Sequence, residues 1–268
     1  MRKPNYSIMQ KLINSKDGTL INYNISGNGT TALVFVHGWL GNLRWWDHQE
    51  QHFNDSYTVI RLDLGGHGKS GKERKTYTHT DYADDIISVV NDLDIEDIIL
   101  VGHSMSGPYV LEASLKLAAV KAVVLVDTIK DLDQIFTPEQ AEKLMFSNYR
   151  QDFKSAVLEL LPHFLFVQET PNDVKLRLQE EFLENSGEFA SIVLEPLYKV
   201  DVQKLAKKIS IPVRAINSDA NPTSTMNNQK YFKDFSCKII QGTGHYPMLE
   251  KPKDFNLLLE EVLQEFKS

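Results

Sequence analysis

The 268-residue sequence holds one cysteine, Cys237, which excludes an intramolecular disulfide framework and a cysteine-rich zinc site. No apolar run approaches the roughly 18 residues that a membrane span needs. The first residues, MRKPNYSIMQ, lack the apolar stretch of a secretory signal, so a cytoplasmic protein whose mature form is the whole chain is expected. Positive charge is not in excess: 29 Lys and Arg face 36 Asp and Glu, and the net charge of -7 opposes binding to nucleic acid or to an anionic membrane. Glycine and proline, at 14 and 10, are too few for a collagen-like or low-complexity chain, while 42% hydrophobic and 24% charged residues are ordinary for a globular domain. The expected partner is a small molecule, and the expected state is a monomer or homodimer.

What the sequence does contain is an alternation of strand and helix patterns. Residues 6–13 and 19–25 flank the turn-rich Asn14-Ser15-Lys16-Asp17-Gly18 and read as a hairpin. Continuous apolar runs rich in β-branched residues follow at 32–36, 57–62, 98–101 and 122–126, which suits strands buried on both faces. Helical patterns lie between them, near 44–54, 79–93 and 105–117. From about 131 to 208 the strand signal stops and helical periodicity takes over, as at 138–146, 153–161 and 174–184. Strands return at 213–216 and 238–240, and a last amphipathic helix after Pro252 aligns Phe255, Leu258, Leu259, Val262 and Phe266. The fold class is therefore α/β, a mostly parallel sheet flanked by helices. Residues 1–130 and 209–268 build its core, and 131–208 form a helical insertion free to lie over the strands' carboxyl ends, where open sheets bind ligands.

The segment Ile98-Ile99-Leu100-Val101-Gly102-His103-Ser104-Met105-Ser106-Gly107 runs from strand into helix through small residues around one serine, the arrangement of a nucleophile elbow. So sharp a turn strains the serine backbone and brings its two arms together. The positions two before and two after must then be small, as Gly102 and Ser106 are. The helix N-terminus aims free N–H groups and its positive dipole end at the place where negative charge would develop. A hydroxyl so placed still needs a base.

With these residues the sequence resembles the α/β-hydrolase family over nearly its whole length. Val36-His37-Gly38-Trp39 looks like that family's oxyanion loop, Asp63-Leu64-Gly65-Gly66-His67-Gly68-Lys69-Ser70 is similar to its D-x-x-G-H-G-x-S loop, and Gly244-His245-Tyr246-Pro247 resembles its histidine loop. Ser106 stands where G-x-S-x-G has its second glycine, and the G-H-S-x-S form is similar to a subgroup that includes the strigolactone receptors. The resemblance implies a sheet of about eight strands, the insertion as a cap, no cofactor and no metal. It implies Ser104 as nucleophile and, in the order serine, acid, histidine, His245 as base. It also implies an oxyanion hole made by the backbone N–H groups of Trp39 and Met105, with the Trp39 side chain left to line the pocket or join the core. His37, His67 and His103 sit in loops where a bracing role is implied.

The acid is where this sequence departs from the family pattern. The common position, just before a proline in the loop after the penultimate strand, holds Asn221 in Asn217-Ser218-Asp219-Ala220-Asn221-Pro222, and an amide carries no negative charge. Other members carry the acid at the end of the strand after the nucleophile's helix, where Asp127 follows Val124-Leu125-Val126. Asp127 ranks first, Asp219 second, and a site without a functional acid third.

In the insertion, Leu160, Leu161, Phe164, Leu165, Phe166 and Leu197 could wall a pocket or pack the insertion itself, and Phe164 and Phe166 are taken as substrate-binding. The resemblance implies a cofactor-independent serine hydrolase acting on a small to medium, largely apolar ester, thioester or lactone through an acyl-enzyme. Hydrolysis of a C–C bond and perhydrolysis use the same constellation, and a hydrolase-fold small-molecule receptor with little turnover is an alternative of another class.

Three further patterns fail on their context. Gly66-x-Gly68-x-x-Gly71 spells a dinucleotide fingerprint but runs into the charged loop Lys72-Glu73-Arg74-Lys75-Thr76, where a helix should start. Gly68-Lys69-Ser70 lacks the first P-loop glycine, whose place Asp63 takes. Lys69, Lys72, Arg74 and Lys75 read as a solvated basic stretch. His48 and His52 lie four apart around Glu50, but a metalloprotease helix needs its glutamate where Gln49 stands, so a solvated helix face is expected.

Overall fold

The computed structural model describes residues 8–134 and 136–266. Eight strands, β1 (Met9–Asn14), β2 (Leu20–Ser26), β3 (Thr31–Val36), β4 (Thr58–Leu62), β5 (Asp97–His103), β6 (Val120–Val126), β7 (Val213–Ser218) and β8 (Phe235–Ile240), form one sheet in the order β1-β2-β4-β3-β5-β6-β7-β8. β1 pairs with β2 and β2 with β4 in antiparallel fashion, and all pairs from β4 to β8 are parallel. At the hairpin, Gly18 takes a left-handed φ of 89° that a side chain would disfavour. Tyr6 and Ser7 of the expected first strand lie outside the described residues. All five residues of β4 are buried, as a strand covered on both faces requires.

Helices α1 (Asp47–Phe53), α2 (His79–Asn91) and α3 (Ser106–Ser114) fall where the patterns predict them, as does the final helix, Pro252–Glu265. Thr78 and Asp81 exchange hydrogen bonds in a capping box that starts α2. α2 packs with α3, and α1 packs with the final helix. Trp46 is fully buried against Phe35 and Phe255, and so joins β3 to that helix. Between β6 and β7 the described residues form helices and no strand, among them Asn172–Leu183 and Gly187–Lys199. Two stretches, Glu142–Phe146 and Ala156–Leu160, are π-helical, a geometry that often marks functional sites.

The chain goes from β3 to β4 on one side and returns to β5 on the other, so connections diverge at the carboxyl ends of β3 and β5. Such a switch point opens a crevice in an α/β sheet. The His37-Gly38-Trp39 loop and Ser104 both leave the sheet there.

The basic stretch is not uniformly solvated. Lys69, Lys72 and Lys75 are exposed, but the Arg74 side chain is fully buried, paired with Asp85 and with Asp17. Asp85 also accepts from the Ser15 hydroxyl at 2.6 Å and from the Gly65 N–H at 2.9 Å. The cluster joins the hairpin turn, the loop after β4 and α2, a convergence that local charge pattern does not reveal. On α1, His48 is exposed and His52 faces Glu260 at 2.7 Å, whereas Gln49 and Glu50 are buried, so the solvated face is narrower than expected.

Removing one member of a buried ion pair leaves its partner uncompensated. Arg74→Met should lower the unfolding free energy by about 3–5 kcal/mol, and Lys72→Met should change it by less than about 0.5 kcal/mol. Urea unfolding of both variants checks this; equal midpoints would show the pair to be dispensable.

Candidate active site

Ser104 adopts a left-handed backbone, φ 53°, where β5 turns into α3. The close approach of the two arms explains the small neighbours: a Cβ on Gly102 would lie 2.7 Å from Val110 Cγ2 and 3.0 Å from the Ser106 carbonyl oxygen. Ser106 is buried and donates its hydroxyl to the His37 carbonyl, so this serine ties the elbow to the loop after β3, a bond that a second glycine could not make. Gly38 lets that loop lie directly on the elbow, since a Cβ there would meet His103 Nδ1 at 2.6 Å and Ser104 Cβ at 3.1 Å.

His245 bridges Ser104 and Asp127. Its Nδ1 stands 2.6 Å from Asp127 Oδ2 and its Nε2 stands 2.7 Å from Ser104 Oγ. Because an ionised carboxylate only accepts, Nδ1 carries the proton and Nε2 is left to accept from the serine hydroxyl. Asp127 is 4% exposed, and its second oxygen accepts from the Ser218 N–H at 2.7 Å and from Lys130 Nζ at 2.8 Å. Burial works to raise its pKa, but His245 and Lys130 outweigh burial and hold the carboxyl well below the usual range.

Asp219 lies elsewhere. It is exposed and accepts from the Gly242 N–H at 2.9 Å, bracing the turn ahead of His245. Asn221 contributes its carbonyl, 3.4 Å from Lys130 Nζ.

The three buried histidines His37, His67 and His103 hold backbone. His37 donates through Nδ1 to the Gly38 carbonyl at 2.7 Å and accepts at Nε2 from the Leu64 N–H at 3.1 Å, and His103 donates through Nε2 to the His245 carbonyl at 2.7 Å. Burial pushes His37 down to about 4, and burial first, with neighbouring histidines second, pushes His67 and His103 down to about 3, so all three are neutral near pH 7.

Sequence reasoning passed over Glu250, a buried carboxylate that accepts from the Gly244 N–H (2.8 Å), the Tyr246 N–H (2.9 Å) and the Thr170 hydroxyl (2.6 Å). An acidic residue in the turn Pro247–Glu250, just after the histidine, was the available signal. The His245 N–H itself donates to the Leu165 carbonyl at 2.8 Å, so the histidine loop is fastened to the segment between β6 and β7.

A cavity of about 730 Å³ stands over Ser104 and His245. Trp39, Tyr149, Leu161, Leu194 and Leu197 wall it, together with Leu144 and Met145 from one π-helical turn and Leu160 from the other. Trp39 is both wall and core: it stacks on Tyr149 at 5.3 Å and donates its indole N–H to the Ala190 carbonyl at 2.8 Å. Phe164, 64% exposed, sits at the rim. Phe166 does not line this cavity, contrary to expectation: its backbone turns extended where Pro162–Leu165 ends, and its ring packs toward Tyr246 at 6.3 Å. Among the described residues the Trp39 and Met105 backbone N–H groups meet no protein acceptor. A neighbouring hollow of about 840 Å³ shares Thr128, Phe136, Leu197 and Tyr198 but contains neither Ser104 nor His245. Among the described residues no group of three His, Cys, Asp or Glu could hold a metal ion, and no helix is long and apolar enough to cross a membrane.

The chain matches the model of the family described as the alpha/beta hydrolase fold over residues 31–252. It is 24% identical over 239 residues to 3-oxoadipate enol-lactonase 2 of Acinetobacter baylyi, covering 88% of this chain and 89% of that one. It is also 24% identical over 250 residues to the karrikin insensitive 2 receptor CA of Petunia hybrida, covering 86% and 91%. Among solved structures, a thermophilic esterase from Thermogutta terrifontis matches with a TM-score of 0.83 at 20% identity, over 97% of this chain and 100% of that one, a likeness of fold alone.

The strain at Ser104 is measurable without any substrate. Ser104→Ala and Ser104→Gly both lose the hydroxyl, but only glycine relaxes at positive φ, so the glycine variant should be the more stable by about 1 kcal/mol in urea unfolding. An alanine variant as stable as the glycine one would mean that the elbow stores no strain.

Proposed function

The chain belongs to the alpha/beta hydrolase fold family, and on that premise we propose that it is a cofactor-independent serine hydrolase that cleaves small to medium, largely apolar esters, thioesters or lactones through an acyl-enzyme. The observation that carries this reading is the hydrogen-bonded chain Ser104–His245–Asp127, at 2.7 and 2.6 Å. Ser104 Oγ attacks the carbonyl carbon while His245 Nε2 takes its proton, and Asp127 stabilises the imidazolium that forms. The oxyanion sits between the Trp39 and Met105 N–H groups, donors already oriented before charge develops. The imidazolium returns its proton to the leaving group, and a water deprotonated by His245 then releases the acid and regenerates Ser104.

In this reading residues 131–208 form a cap over the core of 1–130 and 209–268, and the cavity beneath it takes the acyl group. The apolar wall supports that choice, and the enol-lactonase relative supports lactones among the substrates. A second reading, a small-molecule receptor, is favoured by the G-H-S-x-S form and by the petunia relative. The two part on turnover of p-nitrophenyl butyrate: a hydrolase sustains a steady state, whereas a receptor releases about one equivalent and stops.

Ser104→Ala should lower kcat by roughly 10⁴- to 10⁶-fold, and fluorophosphonate should label Ser104; label on another residue, or retained activity, overturns the reading. Asp127→Asn should lose about 10⁴-fold in kcat and Asp219→Asn far less, and the reverse order would make Asp219 the acid. Each methylene added to the acyl chain should raise kcat/KM about fourfold until the cavity is full, following about 0.8 kcal/mol per buried CH₂. Phe164→Ala should move that chain-length optimum and leave the melting temperature nearly unchanged.

A further inference from the structure

Two residues with left-handed backbones stand within three positions of each other after β6, Asp127 at φ 44° and Ile129 at φ 49°. For a β-branched residue such as Ile129 that conformation is an outlier, and it persists only where the surroundings over-determine it. Here the Ile129 carbonyl accepts from Asn228 Nδ2 at 2.8 Å and the Lys130 carbonyl from the Ser224 N–H at 2.8 Å. The result of this double turn is that Lys130 folds back on the strand end it has just left. Its ammonium meets Asp127 Oδ1 at 2.8 Å, Ser218 Oγ at 3.0 Å, the Ser218 carbonyl at 3.2 Å and the Asn221 carbonyl at 3.4 Å.

We propose that Lys130 is a positioning residue of the site: it holds the carboxylate of Asp127 in place and offsets its charge, and so sets the pH range over which Ser104 reacts. The proposal rests on the reading of Ser104, His245 and Asp127 as the reacting chain. Its physical basis is the sign of the field. A carboxylate favours the imidazolium, and a cation on its far oxygen opposes that effect without breaking the Nδ1–H···Oδ2 bond.

No other cation contacts Asp127 among the described residues. Lys143, from the insertion, lines the cavity without contacting Asp127. Of the groups around the pair, His103 is neutral and Tyr246 is a phenol raised by burial. Burial pushes the Cys237 thiol up to about 11. Asp219 and Glu250 are bonded to the backbone of the histidine loop, and Asp131 faces Asn227.

The test needs no knowledge of the natural substrate. The second-order rate of fluorophosphonate labelling is followed from acid to alkaline pH for the wild type and for Lys130→Gln, Lys130→Met, Lys130→Arg and Ser104→Ala. Lys130→Gln keeps a donor for Ser218 and drops the charge; Lys130→Arg keeps the charge. The midpoint of the acid limb should rise by about 0.5 to 1.5 pH units in the Gln and Met variants and stay near the wild-type value in the Arg variant. A merely structural lysine would lower the plateau and leave the midpoint where it was, and that outcome, or a midpoint moving down, overturns the proposal. Thermal melts accompany each variant, and if Lys130→Met does not fold, Lys130→Gln carries the comparison. An unlabelled wild type, or label persisting in Ser104→Ala, overturns instead the reading on which the proposal rests.

Discussion

A carboxylate removed from water at the end of a strand must find its donors inside the protein. Asp127 finds them on three other parts of the chain: the imidazole of His245 beyond β8, the N–H of Ser218 at the end of β7, and the ammonium of Lys130 a turn further on. These bonds fix where the carboxyl ends of β6, β7 and β8 lie relative to one another. They also set which oxygen faces the imidazole, and therefore which nitrogen of His245 is open to Ser104. The low pKa of the acid follows from the same contacts.

The rest of the site is held by backbone bonds. The His37 carbonyl accepts from the Ser106 hydroxyl, which locks the loop after β3 onto the elbow, and the His245 carbonyl accepts from His103. Glu250 takes two N–H groups of the histidine loop and one hydroxyl from the segment between β6 and β7, and Leu165 of that segment takes the His245 N–H. The segment over the cavity is thus fastened to the loop carrying the imidazole, and a shift of one is felt by the other. Trp39 adds a second fastening, through its indole N–H to the Ala190 carbonyl.

The cavity wall is mostly apolar, with Lys143 and Asn148 as polar exceptions, and Ser104, His245 and Asp127 meet at its floor. Excluding water from such a floor strengthens every hydrogen bond and dipole there. The π-helical turns contribute to this shape, because their wider winding brings Leu144, Met145 and Leu160 to the wall.

Periodicity and local chemistry were enough to read the sheet, the helices after β3, β4 and β5, the helical stretch near 131–208 and the elbow at Ser104, because each is a pattern in consecutive residues. The candidate acid was half legible: Asn221 removes the usual carboxylate, and Asp127 stands at a strand end, but nothing local says which strand ends meet. That depends on β6, β7 and β8 lying side by side, which brings residues 127 and 245 together across 118 positions. The same holds for Arg74, solvated by its neighbours in sequence yet buried against Asp17 and Asp85. It holds for Phe166, apolar like Phe164 but turned from the cavity where a short helix ends. Residue types and repeat patterns by themselves determined the fold class and the strand-to-helix turn at Ser104; only the tertiary structure decided which charges and rings face one another, since electrostatic and packing partners are selected by distance in space and leave no periodic trace along the chain.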